Sequence, residues 1–266
     1  MRNDEYRAAD AGGAGDAGGS SGTAPGCAAA ERAAARPAPF AGVLFDCDGV
    51  LVDSEAITNG VLREMLHELG WPISEEECIA RFIGKALRDE WAVILERTGV
   101  RIDDAWIGAF RARRDAALRE RIAPIPGVGD ALAAVAGRFG ERIACASGAD
   151  RGKIEMQLGL TGLAHWFAGR ILSGMEQPRS KPAPDVYLAA AELLGIDAAE
   201  ALVVEDTVAG VTAGVAAGAT VFGYSSGSPT STPPAELVAA GASRVFTDMA
   251  QLPGLVDDGR PVRDPA

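Results

Sequence analysis

Histidine is nearly missing from this 266-residue chain, with only His67 and His165, and the four cysteines (Cys27, Cys47, Cys78 and Cys145) are scattered with no C-x-x-C spacing. That pattern argues against a zinc centre built on thiolates and imidazoles, and a thiol-bearing protein of the reducing cytoplasm is expected. Basic charge is short as well: 25 Lys and Arg stand against 37 Asp and Glu, for a net charge of -12. That balance argues against a general nucleic-acid or anionic-membrane surface, so an anionic ligand must be held in a local pocket. No run approaches the roughly 18 apolar residues that a membrane-spanning helix needs. No G-x-G-x-x-G follows the first strand pattern, which leaves a nucleotide-cofactor oxidoreductase unsupported. Residues 1–36 hold 12 Ala and 7 Gly with few large apolar side chains, and no basic region precedes an apolar core. They do not read as a secretory signal; a flexible tail, dispensable for activity, is expected.

What is present begins with the stretch 43–54. Val43-Leu44-Phe45 fits a buried strand that arrives at Asp46 and Asp48, and Gly49 follows as a turn signal. In a strand, residues i and i+2 share a face, which directs both carboxylates one way and Cys47, a small buried residue, the other. Two like charges so close are costly unless a cation joins them, or unless one carboxylate is a nucleophile and the other carries a proton. A solvated strand end is the plainer alternative. After Ser54 the period becomes helical: Ile57, Val61, Leu62, Met65, Leu66 and Leu69 recur up to Gly70. Ser74 and Glu77 form a capping-box pattern, a third helix runs from Leu87 to before Gly99, and a fourth covers about 103–122. No strand pattern interrupts them, so 55–123 reads as a helical insertion closed by Pro124-Ile125-Pro126-Gly127.

Beyond it, helices (128–139, 150–158, 185–194, 207–217) alternate with strands (142–146, 170–172, 201–205, 220–224, 244–247). The expectation is an α/β protein: a Rossmann-like, doubly wound parallel sheet formed by 37–54 and 124–266, with the helical insertion as a cap. Ligands collect at the carboxyl ends of such strands. There the sequence places Ser147-Gly148, where an N-cap serine is the ordinary reading, and Lys181 between prolines, where a solvated charge is. It also places Glu205-Asp206, with Asp206 a candidate cap for the next helix. Gly210 and Gly214 would let that helix approach the sheet closely. Asp46, Asp48 and Asp206, with Glu205, make an all-oxygen set suited to Mg²⁺, and Ser147 and Lys181 add donors for a dianion. A nucleophilic carboxylate, a hard cation and phosphate donors together fit phosphoryl transfer.

The order of these motifs resembles the haloacid dehalogenase superfamily: Asp46-Cys47-Asp48-Gly49-Val50, Ser147, Lys181 in Ser-Lys-Pro-Ala-Pro-Asp, and Glu205-Asp206 in Val-Val-Glu-Asp-Thr-Val-Ala-Gly. The resemblance spans about residues 40–255. A helical cap after the first motif is similar to the subgroup of beta-phosphoglucomutase and many sugar-phosphate phosphatases. The resemblance implies that Asp46 is the nucleophile and Asp48 the general acid and then base. It further implies that Asp46, the Asp48 carbonyl and Asp206 bind Mg²⁺, with Glu205 a ligand or an outer group, and that Ser147, Gly148 and Lys181 hold the phosphoryl group. Dehalogenases of the superfamily lack an acid at position 48, so phosphate chemistry is implied. Related mutases carry a histidine where this chain has Thr58 and a lysine where it has Ile83, which favours a hydrolase over a mutase. The cap stretch 81–88 matches the family's substrate loop in place, making Lys85 the first candidate for substrate contact, with Arg88, Asn59 and Arg63 behind it. The Phe-Asp-Cys-Asp-Gly opening and Gln251-Leu252-Pro253 also resemble bacterial 6-phosphogluconate phosphatases. The expected partner is a small phosphorylated metabolite, a sugar phosphate or phosphorylated sugar acid, with neither nucleic acid nor membrane. A non-catalytic sensor of such a metabolite is the alternative of another class; it predicts loss of Asp46 or Asp48, and both are present.

Overall fold

The computed structural model describes residues 39–83 and 87–259. The tail expected over 1–36, and Lys85, lie outside the described residues.

Six parallel strands form one sheet: β1 (Gly42–Phe45), β2 (Ile143–Ser147), β3 (Ile171–Ser173), β4 (Ala201–Glu205), β5 (Thr220–Tyr224) and β6 (Arg244–Phe246), in the order β3-β2-β1-β4-β5-β6. This is the Rossmann-like doubly wound order expected, and the direction of winding reverses at β1. Phe45 stands beside Cys145 of β2 and Val204 of β4, so β1 is central. The alternation of the strands sorts their side chains between two cores. Val43, Phe45, Ile143, Cys145, Leu202 and Val204 enter one, with Val128, Leu132 and Val135 of helix α5 (Val128–Phe139). Leu44, Ala144, Ala146 and Val203 enter the other, with Val186 and Tyr187 of α7 (Asp185–Leu194) and Val211 of α8 (Val208–Ala216).

Between β1 and β2 lie α1 (Glu55–Glu68), α2 (Glu75–Phe82), a 3₁₀ turn Leu87–Glu90, α3 (Trp91–Thr98) and α4 (Asp104–Arg121). These helices bury a cluster of their own around Leu62, Leu66, Ile73, Cys78, Ile94 and Phe110. The capping box at Ser74 and Glu77 forms in full. The chain leaves and returns side by side: Asp53 N–H donates to the Ala123 carbonyl (2.9 Å) and Ile125 N–H to that of Leu51 (3.0 Å). α6 (Arg151–Leu160) follows β2. Two short helices escape the periodicity reading, α9 (Pro234–Ala239) and α10 (Leu252–Asp258); each carries proline in its first turn, where the missing N–H costs nothing. Among the described residues no helix is long and apolar enough to cross a membrane.

Candidate active site

The carboxyl ends of β1, β2 and β4 face α1 and α4 across a cavity of about 470 Å³ lined by Asp46, Asp48, Ser147, Gly148, Lys181 and Glu205, among others. One correction concerns the first motif. β1 ends at Phe45, and although the Asp46 N–H still donates to the Val204 carbonyl, Asp48 lies past the strand in an isolated bridge to Val52. Gly49 turns the chain there with φ of +76°. The two carboxylates share a cavity through this loop rather than through strand alternation, and they take different partners.

Asp46 Oδ1 accepts from Lys181 Nζ at 2.6 Å. Lys181 spends its other two hydrogens on the Ala146 carbonyl (3.0 Å) and Glu205 Oε1 (2.7 Å), so all three donors are used. Burial pushes the Asp46 carboxyl up to about 7, against the pull of Lys181, with Glu205 and Asp48 adding to the rise. Asp48 Oδ1 accepts from Lys153 Nζ (2.8 Å), Gln157 Nε2 (2.9 Å) and Ser54 Oγ. Burial opposes ionisation there too, but Lys153 first, with these hydrogen bonds, brings the carboxyl down to about 2. Lys153 and Gln157 sit one turn apart on α6.

Glu205 is 1% exposed, and both of its oxygens are taken. Oε1 accepts from Lys181 and the Tyr187 hydroxyl (2.8 Å); Oε2 accepts from the N–H groups of Asp206 (2.9 Å) and Thr207 (3.0 Å) and from the Thr207 hydroxyl (3.0 Å). Burial would raise its carboxyl, but Lys181 and these bonds outweigh it and hold it below its ordinary value. Thr207, not Asp206, caps α8, accepting from the Gly210 N–H at 3.0 Å. Asp206 is buried against Gly49, where a Cβ would come within 2.0 Å of Oδ2, and its Oδ1 has no hydrogen-bond partner. Burial, then Glu205 and Asp46, push its carboxyl well above the usual range. Ser147 is not the cap of α6 either; Asp150 is, and Ser147 Oγ instead accepts from the Ala149 N–H at 3.2 Å.

A buried, unpartnered carboxylate oxygen beside a glycine cradle, near the Asp46 carboxylate, is a donor set that suits Mg²⁺. Among the described residues no three His, Cys, Asp or Glu side chains converge in a closed metal cage. Mg²⁺ needs no such cage, because it keeps several waters and takes one or two carboxylates.

Of the residues expected to touch substrate, Asn59 is buried and lines the cavity. Arg88 falls in the 3₁₀ turn, whereas Arg63 points to Glu75 (3.7 Å) and is not part of the lining. Sequence reading missed Lys153, Gln157, Ser54, Tyr187 and Thr207. The one available signal was the i, i+4 pairing of Lys153 and Gln157, which also suits a solvated helix face.

The family of haloacid dehalogenase-like hydrolases matches residues 40–218. The 6-phosphogluconate phosphatase of Escherichia coli is 29% identical over 214 residues, covering 80% of this chain and 93% of that protein. The plasmid-borne phosphoglycolate phosphatase of Cupriavidus necator is 31% identical over 229 residues, 84% of this chain and 95% of that protein. Among solved structures, a HAD family hydrolase from Deinococcus radiodurans with bound phosphate and sodium superposes with a TM-score of 0.69 at 34% identity, covering 86% of this chain and 100% of that one. The motif order, the sheet and these likenesses agree: the chain belongs to the haloacid dehalogenase-like hydrolase family.

Proposed function

We propose that this chain is a Mg²⁺-dependent phosphatase that hydrolyses a small phosphorylated metabolite, a sugar phosphate or phosphorylated sugar acid, through a phosphorylated Asp46. The observation that carries the reading is the Asp46 carboxylate at the end of β1, facing the cavity with Lys181 at 2.6 Å. The phosphatase names of the E. coli and C. necator relatives support it, as does the phosphate in the D. radiodurans structure.

In the first step an Asp46 oxygen bonds to phosphorus while the bond from phosphorus to the leaving oxygen breaks, and that oxygen takes a proton from Asp48. In the second, water attacks phosphorus and gives its proton to Asp48, releasing phosphate and restoring Asp46. The donors around Asp48 keep it ionised at rest, the state a base needs. For the acid role Asp48 must first take up a proton from solvent, which it passes to the leaving oxygen; Lys153 must loosen its hold for this, and an incoming phosphoryl dianion supplies a competing partner for it. Ser147 and Gly148 hold the phosphoryl oxygens, and Lys181 joins them by turning the hydrogen it gives Asp46 at rest to the phosphoryl group. Asp46, Asp206 and the Asp48 carbonyl are the groups to hold Mg²⁺, which supplies charge neutralisation at the phosphoryl group. Glu205, with both oxygens committed to protein donors, positions Lys181 instead of ligating. Residues 55–123 act as the cap that meets the leaving group. Thr58 in place of a histidine favours water over a second hydroxyl as acceptor, hence hydrolase over mutase.

Asp46→Asn should abolish Mg²⁺-dependent release of phosphate from a generic ester while preserving the fold, because the amide has the shape of the carboxyl and keeps an oxygen that can accept from Lys181 Nζ. Wild-type turnover in this variant would remove the nucleophile assignment, and turnover that survives complete chelation would remove the cation.

A further inference from the structure

Four cations line the cavity among the described residues, and three are answered by carboxylates. Lys181 meets Asp46 and Glu205, Lys153 meets Asp48, and Arg114 meets Asp115 at 2.7 Å and Asp150 at 3.4 Å. The fourth, Arg111, is half-buried and has no ion-pair or hydrogen-bond partner among the described residues. It is placed by helix geometry: Ile107, Phe110, Arg111 and Arg114 all line the cavity at i, i+3, i+4 and i+7 of α4, whereas Arg113 turns outward to Glu68. Its neighbours Ile107, Phe110 and Phe82 are apolar and buried, which strengthens any charge pairing made beside them. Glu55, an acid on the same lining, has Asp48, Lys153 and Asp53 as its charged neighbours and leaves Arg111 unanswered.

α1 packs against α4 and presents two further polar side chains to the same cavity. Thr58 Oγ1 is buried with no partner, and the neighbouring Asn59, 5% exposed, lines the same wall. A buried hydroxyl left unpaired is costly, and so is a half-buried guanidinium.

We propose that Arg111 pairs with a single carboxylate at the far end of the leaving group, with Thr58 and Asn59 bonding the hydroxyls between that carboxylate and the phosphate. This rests on the phosphatase reading and narrows it to a phosphorylated sugar acid. One planar guanidinium fork matches one carboxylate, while a second phosphate dianion would call for more than one free cation.

The test compares two esters of equal length, an aldonic acid bearing a terminal phosphate and the polyol phosphate in which the carboxylate is replaced by a hydroxymethyl group. Wild type should favour the acid in kcat/KM by roughly 10- to 100-fold, the size of a charge-assisted bond. In Arg111→Gln the ratio should fall close to one, and Arg111→Lys should retain part of it. Arg113→Gln, on the outer face of the same helix, should keep the wild-type ratio. A wild type that does not discriminate, or an Arg111→Gln variant that discriminates as wild type does, overturns the proposal. If neither ester releases phosphate, the phosphatase reading fails by itself. Calorimetric binding of the two esters to wild type and Arg111→Gln then decides the Arg111 assignment by the same ratio of affinities.

Discussion

Helix propensity and local packing predict opposite signs for Gly210→Ala, which makes it a sharp test of the site's architecture. Gly210 lies in the first turn of α8, and replacing glycine by alanine in a helix ordinarily stabilises by up to about 1 kcal/mol. Here a Cβ would lie 1.7 Å from Glu205 Oε1 and 1.9 Å from its carboxyl carbon. The carboxylate must swing away, and it cannot do so without giving up bonds in a site where it is 1% exposed. Losing the two Oε1 bonds, to Lys181 and to Tyr187, costs about 1.5–3 kcal/mol each when one partner is charged. Less the propensity gain, the net loss is about 2–5 kcal/mol. Because Lys181 then loses one of its three acceptors beside Asp46, phosphate release should fall more than tenfold as well. Urea denaturation of wild type and variant should show a lower midpoint at an unchanged slope. Gly108→Ala in α4, where a Cβ would meet nothing within 4 Å, should show the ordinary gain. A Gly210→Ala protein as stable as wild type would refute the account of Glu205 as a buried, fully bonded anchor.

Three further outcomes rest on the charges around the site. Lys153→Met removes the main influence that lowers the Asp48 carboxyl while leaving its burial intact, so that pKa must rise, by about 1–3 units for loss of an adjacent cation. The titration of the Asp48 carboxyl, followed by its infrared band or chemical shift in the metal-free protein, should move to higher pH by that amount, and an unmoved titration would exclude Lys153 as the group that holds the carboxyl down. Burial raises the Asp46 carboxyl to about 7 and pushes that of Asp206 well above its usual range, so Mg²⁺ held by the two would compete with protons. Its affinity, measured calorimetrically in buffers of different ionisation enthalpy, should therefore increase as pH rises towards about 7, and affinity indifferent to pH would contradict the shared site. At a hundredfold excess over Kd, Mg²⁺ should stabilise wild type by about 2.7 kcal/mol, an increment that Asp206→Asn should lose.

Much of this protein could be read without a structure because its signals are local. The alternation of apolar strands with helical periods dictated a parallel sheet, and Val43-Leu44-Phe45, Ile143 to Ala146 and Ala201 to Val204 are apolar throughout because both faces of the sheet are covered. Strand ends are sequence-adjacent to Asp46, Ser147 and Glu205, which is why these could be named together and are found on one cavity, joined by Lys181 from the loop before α7. Gly214 was legible too: a Cβ there would lie 2.7 Å from Val221 Cγ2, the close helix approach expected of it. Gly210 proved to make room for a carboxylate, a role invisible in its i, i+4 spacing.

What only the tertiary structure decided is the assignment of partners. Asp48 meets a lysine 105 positions away and Asp46 one 135 positions away. No local period encodes which of the chain's cations reaches which carboxylate; that depends on where α6 and the loop at Lys181 come to rest against the sheet. Likewise, Arg111, Arg113 and Arg114 are near neighbours of one kind in the sequence. Packing against α1 and α6 then points two of them into the cavity and one into solvent, and commits only one of those two to a carboxylate. The sequence by itself therefore determined that acidic and basic groups gather at the carboxyl edge of a doubly wound sheet. The fold determined which charges are cancelled within the protein and which are left for a ligand, because electrostatic pairing depends on distance in space and on exclusion of water, and neither is a property of the chain in order.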